Sequence, residues 1–172
     1  MSDIAFAQSG DEVISPGRPR AFDTIVYGGL VAGTLDISYA MIFFGIRNGV
    51  APTRILQSVA GGLLGRDVSR AGGLKTALLG LFLHFLICFT VATIFYGASL
   101  ILPTLIRHAV IWGLLYGAAV HFVMHYVVLP LSALPPRESP APWSVQLQGA
   151  ITIALFVGLP IALFAKRSAK TR

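Results

Sequence analysis

Charged side chains are scarce in this sequence. Lysine, arginine, aspartate and glutamate make up 12% of its 172 residues, whereas 55% of the residues are hydrophobic and the mean hydropathy is +0.77. Soluble domains carry about 25% charged residues. The scarcity of charge therefore excludes an ordinary soluble globule and favours a chain whose apolar faces are solvated by lipid.

Cysteine is almost absent as well. Cys88 is the single cysteine, so the sequence contains no internal disulfide and no CxxC motif. The first 21 residues lack the basic start and apolar centre of a signal peptide, and we predict that residues 1–21 form a flexible cytosolic tail. No serine or cysteine is spaced with histidine and a carboxylate as in a nucleophilic enzyme, so we expect a protein that is not an enzyme.

The charge that is present is mainly positive, with a formal net charge of +6. The basic residues lie in loops and tails beside apolar runs, where such residues meet anionic lipid headgroups more often than nucleic acid. We therefore expect the lipid bilayer as a partner and no nucleic acid. Anionic headgroups are expected to bind the basic C-terminal tail, residues 166–172.

Four apolar runs are long enough to cross a hydrocarbon core, which takes about 20 residues. Backbone groups in lipid must be hydrogen-bonded within their own segment, so each run is predicted to be a helix. The sequence thus predicts an all-α, polytopic membrane protein with one membrane domain over residues 22–165. The predicted spans are 22–45, 75–102, 107–131 and 143–165.

The link between the first two spans has a helical pattern of its own. This segment places six apolar residues on one stripe, namely Ile55, Leu56, Val59, Ala60, Leu63 and Leu64. Four polar residues fall elsewhere, namely Arg54, Gln57, Ser58 and Arg66. This pattern predicts an amphipathic helix over residues 52–65 that lies in the membrane interface or forms a short re-entrant segment.

Four spans place both chain ends on one side of the membrane. That side carries seven basic residues and the other carries six, so the positive-inside rule gives only a slight preference. We predict cytoplasmic termini because four of the seven directly follow the last span, namely Lys166, Arg167, Lys170 and Arg172.

Small residues recur at intervals of four in the predicted spans. Gly29 and Gly33 share a face of the first span, and Gly113 and Gly117 share a face of the third. Small residues let membrane helices approach closely. We therefore predict that these four glycines are helix-packing positions.

Titratable residues lie on the same small-residue faces. They are Asp36 in the first span, His84 in the second, and His121 and His125 one turn apart in the third. Asp36, His84 and His121 fall at a common depth, roughly 14 Å from one membrane boundary at 1.5 Å per residue. A carboxylate in the membrane interior costs about 2.5–3.5 kcal/mol on insertion scales, so it is expected to face the bundle and find a partner.

Three interpretations of this polar layer remain open. The first is a buried network that only fixes the register of the helices. The second is a proton relay or ligand site in which Asp36 accepts the proton and the histidines relay it. The third is a metal or haem site, with His84, His121 and His125 as ligands beside Asp36. Only this third interpretation calls for a cofactor.

The stretch WGLLYGAAVHFVMHYVVLPLSALPP, residues 112–136, resembles the third-helix region of the YagU-like family of small bacterial inner-membrane proteins. That region is a glycine-rich helix with a histidine, followed by an apolar turn that ends in paired prolines. His121, Pro135 and Pro136 match it by position, whereas His125 and the short first loop depart from it. The segments TLDISYA and PTRILQSVAGGLLG resemble other bacterial multi-helix membrane proteins.

The resemblance covers about a quarter of the chain and includes no catalytic motif. It implies a bacterial inner-membrane location and a link to acid tolerance. The leading expectation is therefore a membrane protein whose polar Asp/His site assists proton or solute movement or acid tolerance. The alternative is a structural or assembly subunit that binds a second copy or partner helices through its glycine faces.

Overall fold

The protein is described by a computed structural model that covers residues 17–135 and 142–170. Within these ranges every regular element is a helix, as predicted. The helices are α1, Asp23–Asn48; α2, Pro52–Leu64; α3, Arg66–Ala71; α4, Gly73–Ile101; α5, Thr104–Arg107; α6, Ala109–Val128; and α7, Trp143–Lys170.

Four of these helices, α1, α4, α6 and α7, are long and apolar enough to cross a membrane. The chain is therefore a multi-pass membrane protein with four candidate spans in its described part. Most span boundaries lie within three residues of the predicted ones. The largest differences are at the C-terminal end, because α7 continues as a helix to Lys170.

Three of the four spans contain a wide, π-helical turn. These turns are Asp23–Gly28 in α1, Met124–Val128 in α6 and Ala154–Gly158 in α7. The turn in α7 has a local cause, because Pro160 follows it closely and has no N–H for the helical ladder. Widening the helix just before a proline gives its ring room against the preceding turn.

Helix α2 confirms the predicted helical segment, but it does not lie free in the interface. It packs against the beginning of α4, where a Cβ atom on Gly80 would overlap the carbonyl oxygen of Leu56. Gln57 is 4% exposed, and its Nε2 donates a hydrogen bond of 2.9 Å to the carbonyl oxygen of Gly73. The buried side of α2 includes Ile55 and Ala60 of the predicted stripe, but it also includes Gln57, which the pattern placed away from the stripe.

The predicted glycine faces lie at contacts between spans of this same chain. A Cβ atom on Gly33 would lie 2.8 Å from the ring of Phe85 on α4. On α6, a Cβ atom on Gly117 would lie 2.5 Å from the Cα atom of Ala154 on α7. Gly29 and Gly113 are likewise buried, against α4 and α7 respectively. These four glycines therefore pack against other helices of the same chain.

Helices α4 and α6 meet at an aromatic contact in the core. Phe95 is fully buried and packs edge-on against Tyr116 at 5.1 Å between ring centroids. The Tyr116 hydroxyl donates a hydrogen bond of 2.7 Å to the carbonyl oxygen of Val91. The contact places a phenol in the apolar core with its polar atom bonded, as a buried tyrosine requires.

The described residues of both predicted tails are packed or helical. The backbone N–H of Arg20 donates a hydrogen bond of 3.1 Å to the Ser168 hydroxyl, so residues 17–20 pack on the end of α7. Ser168 and Ala169 are buried in this contact, and the helix continues through them. Residues 1–16 of the predicted N-terminal tail and residues 171–172 of the C-terminal tail lie outside the described ranges. The contact places the two ends of the described chain on one side of the membrane.

Candidate functional site

Helices α1, α6 and α7 enclose a cleft of about 400 Å³. Six polar residues that line it are Asp36, Tyr39, His121, His125, Gln146 and Gln148. The lining also reaches Arg47 and Asn48, which are exposed at the C-terminal end of α1. Asp36 lies eleven residues before Arg47, which is about 16 Å at 1.5 Å per residue. The cleft therefore leads from one membrane face towards the middle of the bundle.

His121 and His125 lie side by side in this cleft. They occupy successive turns of α6, and their rings stack at 6.0 Å between centroids with an interplanar angle of 16°. A spacing of four residues puts both on one face of the helix. The wide turn Met124–Val128 begins between them, and Leu129 N–H bonds to the carbonyl oxygen of Met124 at 2.9 Å.

One glutamine of α7 bridges the two imidazoles. Gln146 is 7% exposed; its Oε1 accepts a hydrogen bond of 3.1 Å from His121 Nε2, and its Nε2 donates one of 2.6 Å to His125 Nε2. Pro142 precedes α7 and directs its first turn, so that Gln146 faces α6. The bridge holds both rings in place. It uses the amide oxygen and one of the two N–H groups of the glutamine side chain.

Gly149 makes room for the ring of His121. A Cβ atom at this position would overlap Cε1 of the imidazole and lie 3.0 Å from Nδ1. The missing side chain therefore lets α7 approach the histidine closely enough for Gln146, one turn earlier, to reach it.

A second glutamine ties α7 to α1 across the cleft. Gln148 Nε2 donates a hydrogen bond of 3.3 Å to the Tyr39 hydroxyl oxygen. The Tyr39 ring stacks on Phe43 at 5.5 Å and lies 5.2 Å from Phe156. The wall formed by α1 is therefore largely aromatic, with polar groups only at Asp36, the Tyr39 hydroxyl and the mouth.

Asp36 is the acidic group of the cleft. It is half-buried, and among the described residues no donor makes a hydrogen bond to its carboxyl group. Asp36 interacts electrostatically with His84 and Cys88 of α4. The carboxyl group thus lines the cleft together with His121 and His125 and also acts on the buried histidine of α4.

His84 lies behind the cleft and does not line it. It is 8% exposed, and its Nε2 lies 2.9 Å from the carbonyl oxygen of Gly33, one turn before Asp36. A carbonyl oxygen only accepts, so His84 Nε2 carries the hydrogen and donates it. This bond places the His84 ring against α1, about one turn from Asp36.

The set of three histidines and one carboxylate is not assembled around one point. Within residues 17–135 and 142–170, no group of three histidine, cysteine, aspartate or glutamate side chains is placed to hold a metal ion. His84 is turned to Gly33, while His121 and His125 are turned to Gln146. The described structure therefore does not bring the three histidines of the metal-site interpretation together, because His84 bonds to Gly33 while His121 and His125 bond to Gln146.

Sequence reasoning missed Gln146, the residue that organises the site. A signal was present, because Gln146 is a polar residue in the first turn of the fourth span, on the same membrane side as the ends of α1 and α6. Its partner could not be identified, since a glutamine near a membrane boundary is more simply an interfacial residue.

No known protein family, curated protein or solved structure matches this chain. The fold and the site together define the class, a multi-pass helical membrane protein with a polar cleft among three of its spans.

Proposed function

We propose that the protein exchanges protons, alone or with a small polar solute, through the cleft between α1, α6 and α7. Asp36 is the proton acceptor, and His121 and His125 relay protons between it and the mouth. One observation carries the proposal. Three titratable groups from two spans line the same cleft, and the carboxyl group among them has no hydrogen-bond donor in the described part of the chain.

The chemistry of these groups fits proton exchange. Imidazole ordinarily titrates near neutral pH, and a carboxyl group inside a membrane protein is typically a proton or ion site. His84 extends the series beyond Asp36, because the two interact electrostatically and His84 bonds to α1. The series of groups therefore runs from the cleft histidines through Asp36 to His84.

A location follows from the same proposal. We place the protein in a bacterial inner membrane with cytoplasmic termini, and its C-terminal basic residues at anionic headgroups. Lys166, Arg167 and Lys170, at the end of α7, support this placement. A link to acid tolerance, which the resemblance to YagU-like proteins implies, would agree with a proton-exchanging cleft.

Proton flux through reconstituted vesicles tests the proposal. The full chain is placed in phosphatidylethanolamine–phosphatidylglycerol vesicles that contain a pH-sensitive dye, and a pH step is applied under a clamped membrane potential. Wild-type protein is expected to speed the internal pH change over empty vesicles. Asp36→Asn and His121→Asn are each expected to abolish the increase.

His108→Asn is the matched control for the histidine substitution. His108 is exposed between α5 and α6 and does not line the cleft, so its loss is expected to leave the flux unchanged. Thermal unfolding in detergent shows whether each variant is folded. Folded Asp36→Asn protein with wild-type flux would overturn the proposal.

A further inference from the structure

Gln146 holds two imidazoles that are identical in chemistry but bond to different atoms of its amide. His121 Nε2 faces the amide oxygen at 3.1 Å, and His125 Nε2 faces the amide nitrogen at 2.6 Å. The amide is 7% exposed, so water has little access to replace either bond.

A carboxamide offers an acceptor at its oxygen and donors at its nitrogen. The imidazole at the oxygen must therefore donate from Nε2, and the imidazole at the nitrogen must accept there. A neutral imidazole carries one hydrogen, so the second ring holds its hydrogen on Nδ1. If the amide group is rotated by 180°, the two rings exchange these roles. One ring still donates from Nε2, and the other still accepts there.

We propose that Gln146 makes His121 and His125 a one-proton site. A proton added to Nδ1 of His121 leaves both bonds to the amide intact. A proton added to Nε2 of His125 places two donors face to face and breaks a bond. The imidazole at the amide oxygen therefore takes the proton, and the pair carries a single positive charge.

Other titratable and charged groups face the pair. Asp36, Tyr39 and Arg47 of α1 line the cleft with it, and on α6 the Tyr126 ring lies edge-on to His125 at 5.0 Å. These groups set how readily the pair takes a proton. The amide sets which ring takes it and how many the pair takes.

Nitrogen-15 spectroscopy of histidine-labelled protein in lipid vesicles tests this inference. His121→Asn and His125→Asn variants assign the two sets of signals. Alkaline samples are expected to show a hydrogen on Nε2 of one ring and on Nδ1 of the other. Acidification is expected to give one doubly protonated ring per pair.

Gln146→Glu supplies the decisive comparison. A carboxylate has two acceptor oxygens and no donor, so both rings are expected to carry a hydrogen on Nε2. The pair is then expected to take two protons, a twofold increase in doubly protonated rings. Gln148→Glu is the control, since it makes the same chemical change at a glutamine that bonds to Tyr39. In this variant one histidine ring is still expected to carry its hydrogen on Nε2 and the other on Nδ1.

The assigned wild-type spectrum decides the inference if Gln146→Glu protein fails to fold. Equal tautomers in the two rings, or two doubly protonated rings formed in one step, would overturn it. The inference deepens the proposed function, because it concerns the same cleft. Only the role of the one-proton site in proton exchange rests on the proposed function. Opposite tautomers and a single proton without any proton flux would uphold the site and refute the proposed function.

Discussion

Gly149 of α7 lies directly against the imidazole ring of His121 on α6. The ring atom Nδ1 is 3.0 Å, and Nε2 3.3 Å, from the position a Cβ atom would occupy. A Cβ atom there would also overlap Cε1 of the ring, so the ring would have to shift, and its hydrogen bond to Gln146 opposes that shift.

Gly149→Ala is therefore expected to displace His121 and break the bridge to Gln146. Overpacking in a core usually costs about 1–3 kcal/mol, and the lost hydrogen bond adds to this. Thermal unfolding in detergent measures the loss of stability, and histidine nitrogen-15 signals report the broken bridge.

Gly97→Ala is the control for this substitution. Gly97 lies in α4 with nothing within 4 Å of its Cβ position, so alanine is accommodated and raises helix propensity by about 1 kcal/mol at most. Equal unfolding temperatures for the two alanine variants would contradict the tight contact at His121.

Gly80→Ala is expected to separate α2 from α4. Its Cβ atom would overlap the carbonyl oxygen of Leu56 and lie 3.2 Å from the backbone N of Ala60, and backbone atoms cannot rotate away. We expect a loss of about 1–3 kcal/mol in the free energy of unfolding. Faster protease cleavage within Pro52–Leu64 measures the release of α2, and unchanged cleavage would refute the contact.

Tyr116→Phe is expected to destabilise the protein by about 0.5–1.5 kcal/mol, the net value of one hydrogen bond. The substitution removes the hydroxyl that donates to Val91 at 2.7 Å and keeps the ring against Phe95. Tyr126→Phe is the control, because Tyr126 is 62% exposed. Detergent unfolding should separate the two variants, and equal losses would show that the buried bond contributes nothing.

His84→Gln separates packing from proton transfer. A glutamine amide can still donate to the carbonyl oxygen of Gly33, as His84 Nε2 does at 2.9 Å, but it cannot carry a proton at neutral pH. We expect near wild-type stability and lost proton flux. His84→Ala should lose both proton flux and stability. The expected loss in the free energy of unfolding is about 2–5 kcal/mol, as for truncation of other large buried side chains. Wild-type flux in folded His84→Gln protein would remove His84 from the relay.

The spans could be predicted from the sequence because lipid imposes a simple requirement on length and polarity. The helix faces could be predicted too, since Gly33 and Gly117 lie where a spacing of four places them. Asp36, His121 and His125 line one cleft for the same reason, as they share faces with those glycines.

The parts of the fold and the site that could not be predicted depend on contacts between distant segments of the chain. Gln146 reaches the histidines only because Gly149 lets α7 approach α6, and no periodicity encodes that pair. The packing of α2 depends also on Gln57 and Gly80, which a hydrophobic pattern leaves out. The direction of the His84 ring could not be predicted, because it depends on a bond to the backbone of Gly33.

The contact between α6 and α7 has a consequence for how the cleft can change width. Their backbones touch at Gly117 and Gly158, so these two walls cannot slide or spread without breaking this close packing. Helix α1 differs, because its last buried residue is Ile37 and the final three turns or so carry none. Swinging this end of α1 outward, after release of Tyr39 from Gln148, is the motion that would admit a larger guest to Asp36.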